Sequence, residues 1–501
     1  MKGGKIKSVS KKIMQRFICL LLAMLLLSPA AAIKAGNNFY TYIYDVFGDE
    51  RESPDAYTPQ LRIIGTDLGI GDFSQPQGMY AKGDRVYIAD TGNNRIVELL
   101  AGIENLTLVR VIDTFKNGGE DDTFSGPNDV FVTDNGDIFV CDTENKRVVH
   151  LDKDLNMIKT LVQPVDETYD ASHEFLPTKA VVDESGRILV LGRNVNKGVM
   201  QYSPEGEFTG YIGASKVTFS MVDYIWKKLS TKEQRAQMEQ FVPTEYNNIA
   251  LDKDGFVYVT TSVFSEWDLK DDKAKPIRKL NSMGSDILIK NGDVPPIGDV
   301  QWGEGGGVKG PSKLIDVTPL ENDIYYAIDR TRCRIFGYDS QGQLLYAFGG
   351  NGNTLGYFTN PVALDHIGND LYVLDGSRNN LTKLVLTDYG KQINNAIMAY
   401  QKGDYDLSAD YWRQVLRMNS NYDLAYLGIG RALLRQNRYK EAMEYFELKY
   451  YGRAYSKAFK LYRKEWIEEH IVYFVVGLLI LIIVPKTIKT VKKVKREVSE
   501  E

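Results

Sequence analysis

Short runs of alternating apolar residues, each closed by a cluster of Gly, Asn, Asp or Pro, recur along the chain from about residue 60 to residue 386. A period of two bounded by turn residues is the sequence form of a half-buried strand. The two clearest copies pair Phe73-Ser-Gln-Pro76 with Val86-Tyr-Ile-Ala-Asp90, and Phe124-Ser-Gly-Pro127 with Ile138-Phe-Val-Cys-Asp142. Weaker copies pair Phe175-Leu-Pro177 with Ile188-Leu-Val-Leu-Gly192, and Phe241-Val-Pro243 with Phe256-Val-Tyr-Val-Thr260. The pattern sharpens again at Pro311 with Ile324-Tyr-Tyr-Ala-Ile-Asp329, and at Phe358-Thr-Asn-Pro361 with Leu371-Tyr-Val-Leu-Asp375. One such unit of about 45 to 70 residues cannot bury its own faces, whereas six in a ring can, so the repeats predict a six-bladed β-propeller.

Within the copies, Asp90-x-x-x-x-Arg95, Asp142-x-x-x-x-Arg147 and Asp329-x-x-x-x-Arg334 end one strand on an acceptor-only carboxylate and open the next with a five-donor guanidinium. Recurrence in successive units marks these as braces of the scaffold. With the Pro start, the Tyr-Val-x-Asp strand and the Asn-x-Arg turn, residues 60–386 resemble the NHL-repeat family, most specifically in blades one, two and five. The resemblance implies a fold and leaves the activity open.

The segments around the repeats follow other rules. Phe39–Phe47 alternates bulky residues and is expected to be the strand that closes the last blade, giving a propeller over 37–386. Residues 215–240, with Ser230-Thr-Lys-Glu233 as a capping box, predict a helical insertion over one mouth of the ring. After Leu386 the period changes to 3.6. Ala396, Ser408 and Trp412 recur 34 residues later as Gly430, Ala442 and Phe446, so residues 390–450 resemble tetratricopeptide (TPR) repeats, small residues letting helices approach and aromatic ones filling the contact. A juxtamembrane helix over 451–466, a transmembrane helix over 467–488 and a basic cytoplasmic tail over 489–501 complete the chain. At the other end, six basic residues before the apolar run Phe17–Leu27 and then Ser28-Pro-Ala-Ala-Ala32 read as a signal peptide over 1–32. The expectation is a single-pass cell-membrane protein with its bulk outside.

Charge narrows the partners. The formal net charge is −5; removing the six positive charges of residues 1–32 leaves −11, and the last sixteen residues are net positive by three, so residues 33–485 carry −14. Such a domain repels nucleic acid. Of three cysteines, Cys19 lies in the signal segment, and Cys141 and Cys333 fall in blades too far apart to bridge.

Candidate chemistry is sparse. His150, His173, His366 and His470 form no metal-ligand spacing with one another or with Cys. The residues just after each Pro start are the expected channel rim: Gln77, Asn128, Asp129, Lys179, Glu245, Asn247 and Lys313. Their mixed charge suits a rim that binds protein or carbohydrate without a cofactor, with Trp226, Trp267 and Trp302 available to stack on sugar rings. A protein of the membrane or envelope, such as a transporter, is the expected partner. The alternative is a calcium-dependent lactonase of the gluconolactonase type, in which Asn128, Asp129 and Glu245 hold the cation and against which Lys179 and Lys313 count as like charges.

Overall fold

The computed structural model describes residues 39–500 apart from 167, 170–173, 194, 214–245, 271–273, 293–294, 300–307 and 309. The signal segment, the helical insertion at 215–240, Glu245, Trp226 and Trp302 lie outside the described residues. Six blades form the ring. Their inner strands are Gly78–Lys82, Pro127–Val132, Pro177–Val182, Asn248–Leu251, Leu314–Pro319 and Pro361–Ile367. Each starts an antiparallel meander running outward, and successive inner strands touch all the way round, the sixth against the first. The second strands are sandwiched by neighbouring blades on both faces, so Ile138–Asp142 and Tyr325–Asp329 are buried along their whole length. That is why the sequence reads as unbroken apolar runs there.

The ring closes differently from expectation. The strand that completes blade six is β3 (Tyr57–Ile64), paired with Asn380–Leu386 from Tyr57 opposite Leu386 to Ile64 opposite Asn380. The segment expected to do this instead supplies β1 (Thr41–Tyr44), which pairs with Leu344–Gly349 and adds, with β2 (Glu50–Glu52), to blade five. The cause is Tyr42, wholly buried in the blade-five cluster with Tyr325, Phe336 and Tyr338. Pro59 is accommodated because β3 is an edge strand with a register shift at that point.

The braces form in two of three copies. Arg95 Nε lies 2.7 Å from Asp90 and Arg147 Nε 2.7 Å from Asp142, both carboxylates being fully buried. Each Asp also accepts the backbone N–H that precedes its inner strand, from Ser74 and Ser125. In blade five Asp329 takes the N–H groups of Lys313, Thr331 and Arg332, while Arg334 turns to Asp299.

Within blade four, between Val257–Thr260 and Ile277–Leu280, α1 (Glu266–Lys270) carries the exposed Trp267. After the last propeller strand, Asn380–Leu386, four helices follow: α2 (Asp388–Gln401), α3 (Tyr405–Met418), α4 (Asp423–Arg435) and α5 (Tyr439–Leu448). Thr387 and Asp404 cap α2 and α3 by accepting the N–H of Gly390 and of Leu407. Ser408 donates to the Ala396 carbonyl at 2.8 Å. A Cβ on Gly430 would run into the Phe446 ring, so close helix approach is what the small residues allow. The expected juxtamembrane helix, span and tail are one helix, α6 (Gly452–Glu500), with Pro485 inside it. It is long and apolar enough to cross a membrane.

The helices are pinned to blades five and six. Tyr422 OH donates to the Leu345 carbonyl at 2.7 Å, and Tyr346 OH to Asn394 Oδ1 at 3.1 Å. The Tyr346 hydroxyl is also 2.7 Å from that of Tyr326, to which Tyr57 of β3 donates at 3.0 Å. Buried hydroxyls thus link the closing strand, two blades and α2.

Candidate functional site: the propeller channel

The six inner strands enclose a cavity of about 720 Å³. It is lined by the strands and by the turns that leave them, among them Asp134, Asn135, Glu184, Lys253 and Glu321. In an antiparallel meander the first–second and third–fourth turns share one face, and that face holds both the wide mouth and the Asp339–Gln343 turn. There Ser340 meets Gln401 of α2 at 3.5 Å, so the TPR helices stand on the mouth side of the ring.

A β-bulge shapes the floor. In blades two, three, five and six the register shifts at Asn128, Thr178, Ile315 and Val362, directly after the strand's first residue. Bulges re-aim the side chain that follows. At this level four blades contribute Asp129, Lys179, Asn248 and Asp316, each 8% exposed or less. Blade one contributes Gly78, where a Cβ would lie 2.6 Å from Asp129 Oδ1, and blade six Ala363.

The floor is a charge network. Lys179 Nζ is 3.0 Å from Asp129 Oδ1, and Asp129 also accepts the Ala180 N–H at 3.3 Å. Burial raises the Asp129 carboxyl above its ordinary range against the pull of Lys179. Burial alone would lower Lys179, but the Asp129 and Asp316 carboxylates hold it above its ordinary value. Asp316 accepts a hydrogen bond from Asn248 and the backbone N–H groups of Leu364 at 2.8 Å and Val317 at 2.7 Å. Burial pushes its carboxyl up to about 7, with Lys179 opposing. Higher on the wall, Asp365 accepts Ala81 N–H at 2.7 Å and Thr318 Oγ1 at 3.0 Å, and Thr318 Oγ1 sits 2.7 Å from His366 Nδ1. Across the mouth His150 Nε2 meets Asp137 at 3.0 Å, and burial lowers the imidazole's pKa despite that carboxylate.

Of the rim residues read from sequence, Asp129 and Lys179 meet in this floor. Asn128 and Asn247 point sideways, donating to Thr178 O at 3.0 Å and Ile315 O at 3.1 Å, the bulge residues of the next blades. Gln77 bonds the Gln75 carbonyl. Lys313 donates to the Phe264 carbonyl, its ammonium 3.8 Å from the centre of that ring. None of these four lines the cavity. Sequence reading missed Asn248, Asp316, Thr318, Asp365 and His366. Asp316 was findable, since Leu314 holds the slot of Pro127 and Pro177, and the residue two further on is Asp129, Lys179 or Asp316.

The ring of blades, the stacked helix pairs and the long apolar helix define a mainly β six-bladed propeller followed by a small helical region. The NHL repeat matches residues 73–99 and 124–151, and the tetratricopeptide repeat matches residues 394–458, so the chain carries NHL repeats with a TPR repeat behind them. No curated protein sequence matches the chain. Among solved structures it is similar to virginiamycin B lyase from Staphylococcus aureus at 11% identity, covering 66% of this chain and 100% of that one, with a TM-score of 0.40. It is also similar to hydrazine synthase from Kuenenia stuttgartiensis (9% identity, 64% and 97% covered, TM-score 0.38) and to BamB from Moraxella catarrhalis (10%, 62% and 83%, 0.31).

Proposed function

We propose that the protein is a membrane-anchored, extracytoplasmic interaction protein that presents its channel mouth to a ligand or partner and couples it to a membrane or envelope complex. The observation that carries this reading is the shared face: the wide mouth and the TPR helices lie on the same side of the ring, fixed there by Tyr422 on Leu345 and Tyr346 on Asn394. Propellers and TPR repeats are both scaffolds that generally mediate protein interactions, and here one compact unit offers both. α6 starts beside α5 and carries the apolar stretch, so binding at the mouth takes place at a fixed offset from the span. The charged segment before the apolar run Phe17–Leu27 supports export of the propeller, and the lysines after Val484 support a cytoplasmic C-terminus.

The test is site-directed photo-crosslinking in native membranes, with the crosslinker at Glu184 or Glu321 of the mouth and, separately, at Asp410 of α3. Attachment of the same envelope protein from mouth and helix positions is expected. Attachment from neither removes the reading.

A further inference from the structure

Two walls of the channel are built from the same residue types and balanced differently. On the side of blades two and three, Asp129 has Lys179 at 3.0 Å. On the side of blades five and six stand Asp316 and Asp365. Among the described residues neither has a Lys or Arg within 4 Å: Lys179 acts on Asp316 only through space, and Asp365 has His366 at 3.5 Å. The hydrogen bonds to Asp316 and Asp365 from backbone N–H groups, Asn248 and Thr318 orient these carboxylates without cancelling their charge. A buried carboxylate that lacks a counter-cation is costly; Asp316 relieves that cost by holding a proton up to about pH 7, and a cation seated beside it relieves the cost of the ionised form.

We propose that the channel takes a ligand bearing an ammonium group, seated against Asp316 and Asp365 in the open part of the cavity. This names the ligand chemistry of the recognition reading above and rests on it. A cavity of about 720 Å³ is of a size that holds a small molecule or one long side chain. Nine carboxylates, Glu184 and Glu321 at the mouth among them, face only Lys82, Lys179 and Lys253 along the cavity lining, and this net negative field steers a cation inward. Tyr80 packs on Phe131 with ring centroids 4.6 Å apart and gives the wall an apolar strip for the ligand's alkyl part. An anion would meet like charge on this wall, and a neutral sugar would leave both carboxylates uncompensated.

The groups around Asp316 are Lys179 from blade three, Asn248 from blade four, and Asp365 and His366 from blade six, with Asp129 beyond Lys179. Of these only Lys179 is a fixed cation, and Asp129 holds it. An ammonium ligand therefore favours the ionised form of Asp316, so binding tightens as pH rises and releases a proton below neutrality.

The full-length protein in nanodiscs of uncharged phosphatidylcholine is titrated calorimetrically with 1,5-diaminopentane and with N-acetyl-lysine amide, at about pH 6 and about pH 8. At least one probe binds, about tenfold more tightly at the higher pH. Asp316→Asn and Asp365→Asn each weaken it by about tenfold or more, while Asp49→Asn, exposed between β1 and β2 and outside the cavity, leaves it unchanged. Binding of the diamine alone assigns a free amine, and binding of the lysine amide alone assigns a lysine side chain. No binding of either probe at millimolar concentration overturns the proposal, as does binding that both channel variants leave intact. If Asp316→Asn does not fold, Asp365→Asn and the wild-type pH difference decide the matter. A partner crosslinked at the mouth whose bound group is neutral or anionic sinks the ammonium assignment and leaves the recognition reading standing.

Discussion

Arg334 pairs with Asp299, at 2.8 Å, and not with Asp329 five residues before it in the repeat. Asp299 is 1% exposed and also accepts from Arg332 at 3.2 Å and from the hydroxyls of Tyr42 and Tyr44. The brace of blade five has been redirected to hold β1. Asp299→Ala therefore removes the main anion facing Arg332 and Arg334 and the acceptor of two tyrosine hydroxyls, leaving Arg334 only Glu50 at 3.8 Å, with an expected loss of about 3–5 kcal/mol in denaturant unfolding. Asp142→Ala, which breaks an unredirected brace, is expected to cost about 1–3 kcal/mol by removing the buried acceptor of Arg147 Nε, Asn145 and the Ser125 N–H, while Arg147 keeps Asp122 at 2.9 Å. Neither change should selectively abolish ligand binding in protein that remains folded.

The Asp129–Lys179 pair bears on the calcium alternative. A metal that binds only the folded state raises stability by about 2.7 kcal/mol at a hundredfold excess over its dissociation constant. With Lys179 already on Asp129, added calcium is expected to leave the melting temperature unchanged, and aldonolactones are expected to be left unhydrolysed. A rise that disappears in Asp129→Ala, together with lactone turnover, would establish the enzyme.

Asp316 sets a pH dependence with a definite sign. Its folded pKa of about 7 lies above the ordinary 3.8, so the folded state holds a proton that the unfolded state has lost. Stability from this group is complete below about pH 4 and is lost as pH rises to about 7, by an amount on the order of a few kcal/mol. In Asp316→Asn that slope is absent. Urea unfolding at several pH values compares the two proteins, and parallel curves would remove the assignment.

Docking of the helices rests on few polar contacts. Tyr422→Phe keeps the ring, which packs near Tyr389 and Trp412, and deletes only the bond to the Leu345 carbonyl. A loss of about 1–3 kcal/mol is expected, because that carbonyl is left buried and unpaired. Amide exchange should rise first in α4 and in Leu344–Gly349, not across the ring.

Protease added to intact cells or protoplasts should digest the propeller and the TPR helices while the chain after Lys486 stays protected. The reverse pattern would invert the proposed orientation.

The blades were legible because a repeat exposes its own mechanics: Pro before the inner strand, Asp at the end of the second, Arg opening the third. Closure was not. Phe39–Phe47 and Tyr57–Ile64 both alternate, and the choice between them is made by a pocket for Tyr42 that only the assembled blade five possesses. The floor was half legible for a related reason. A strand-like count assigns faces by period two, and a bulge at Asn128, Thr178 and Ile315 breaks that count where Asp129, Lys179 and Asp316 turn inward. Asp365 and His366 share no motif with other blades, so nothing local marked them.

The unbroken run of α6 has a mechanical consequence. Forty-nine residues at about 1.5 Å each make a rod of roughly 73 Å, rooted beside α5 at one end and free of protein contact through its apolar window. With no loop between root and window, a tilt of α5 is passed to the apolar stretch through continuous helix. The weak joint is Pro485, which has no N–H to give the Leu481 carbonyl, so torque arriving from above is spent there, between the apolar stretch and the lysines that follow.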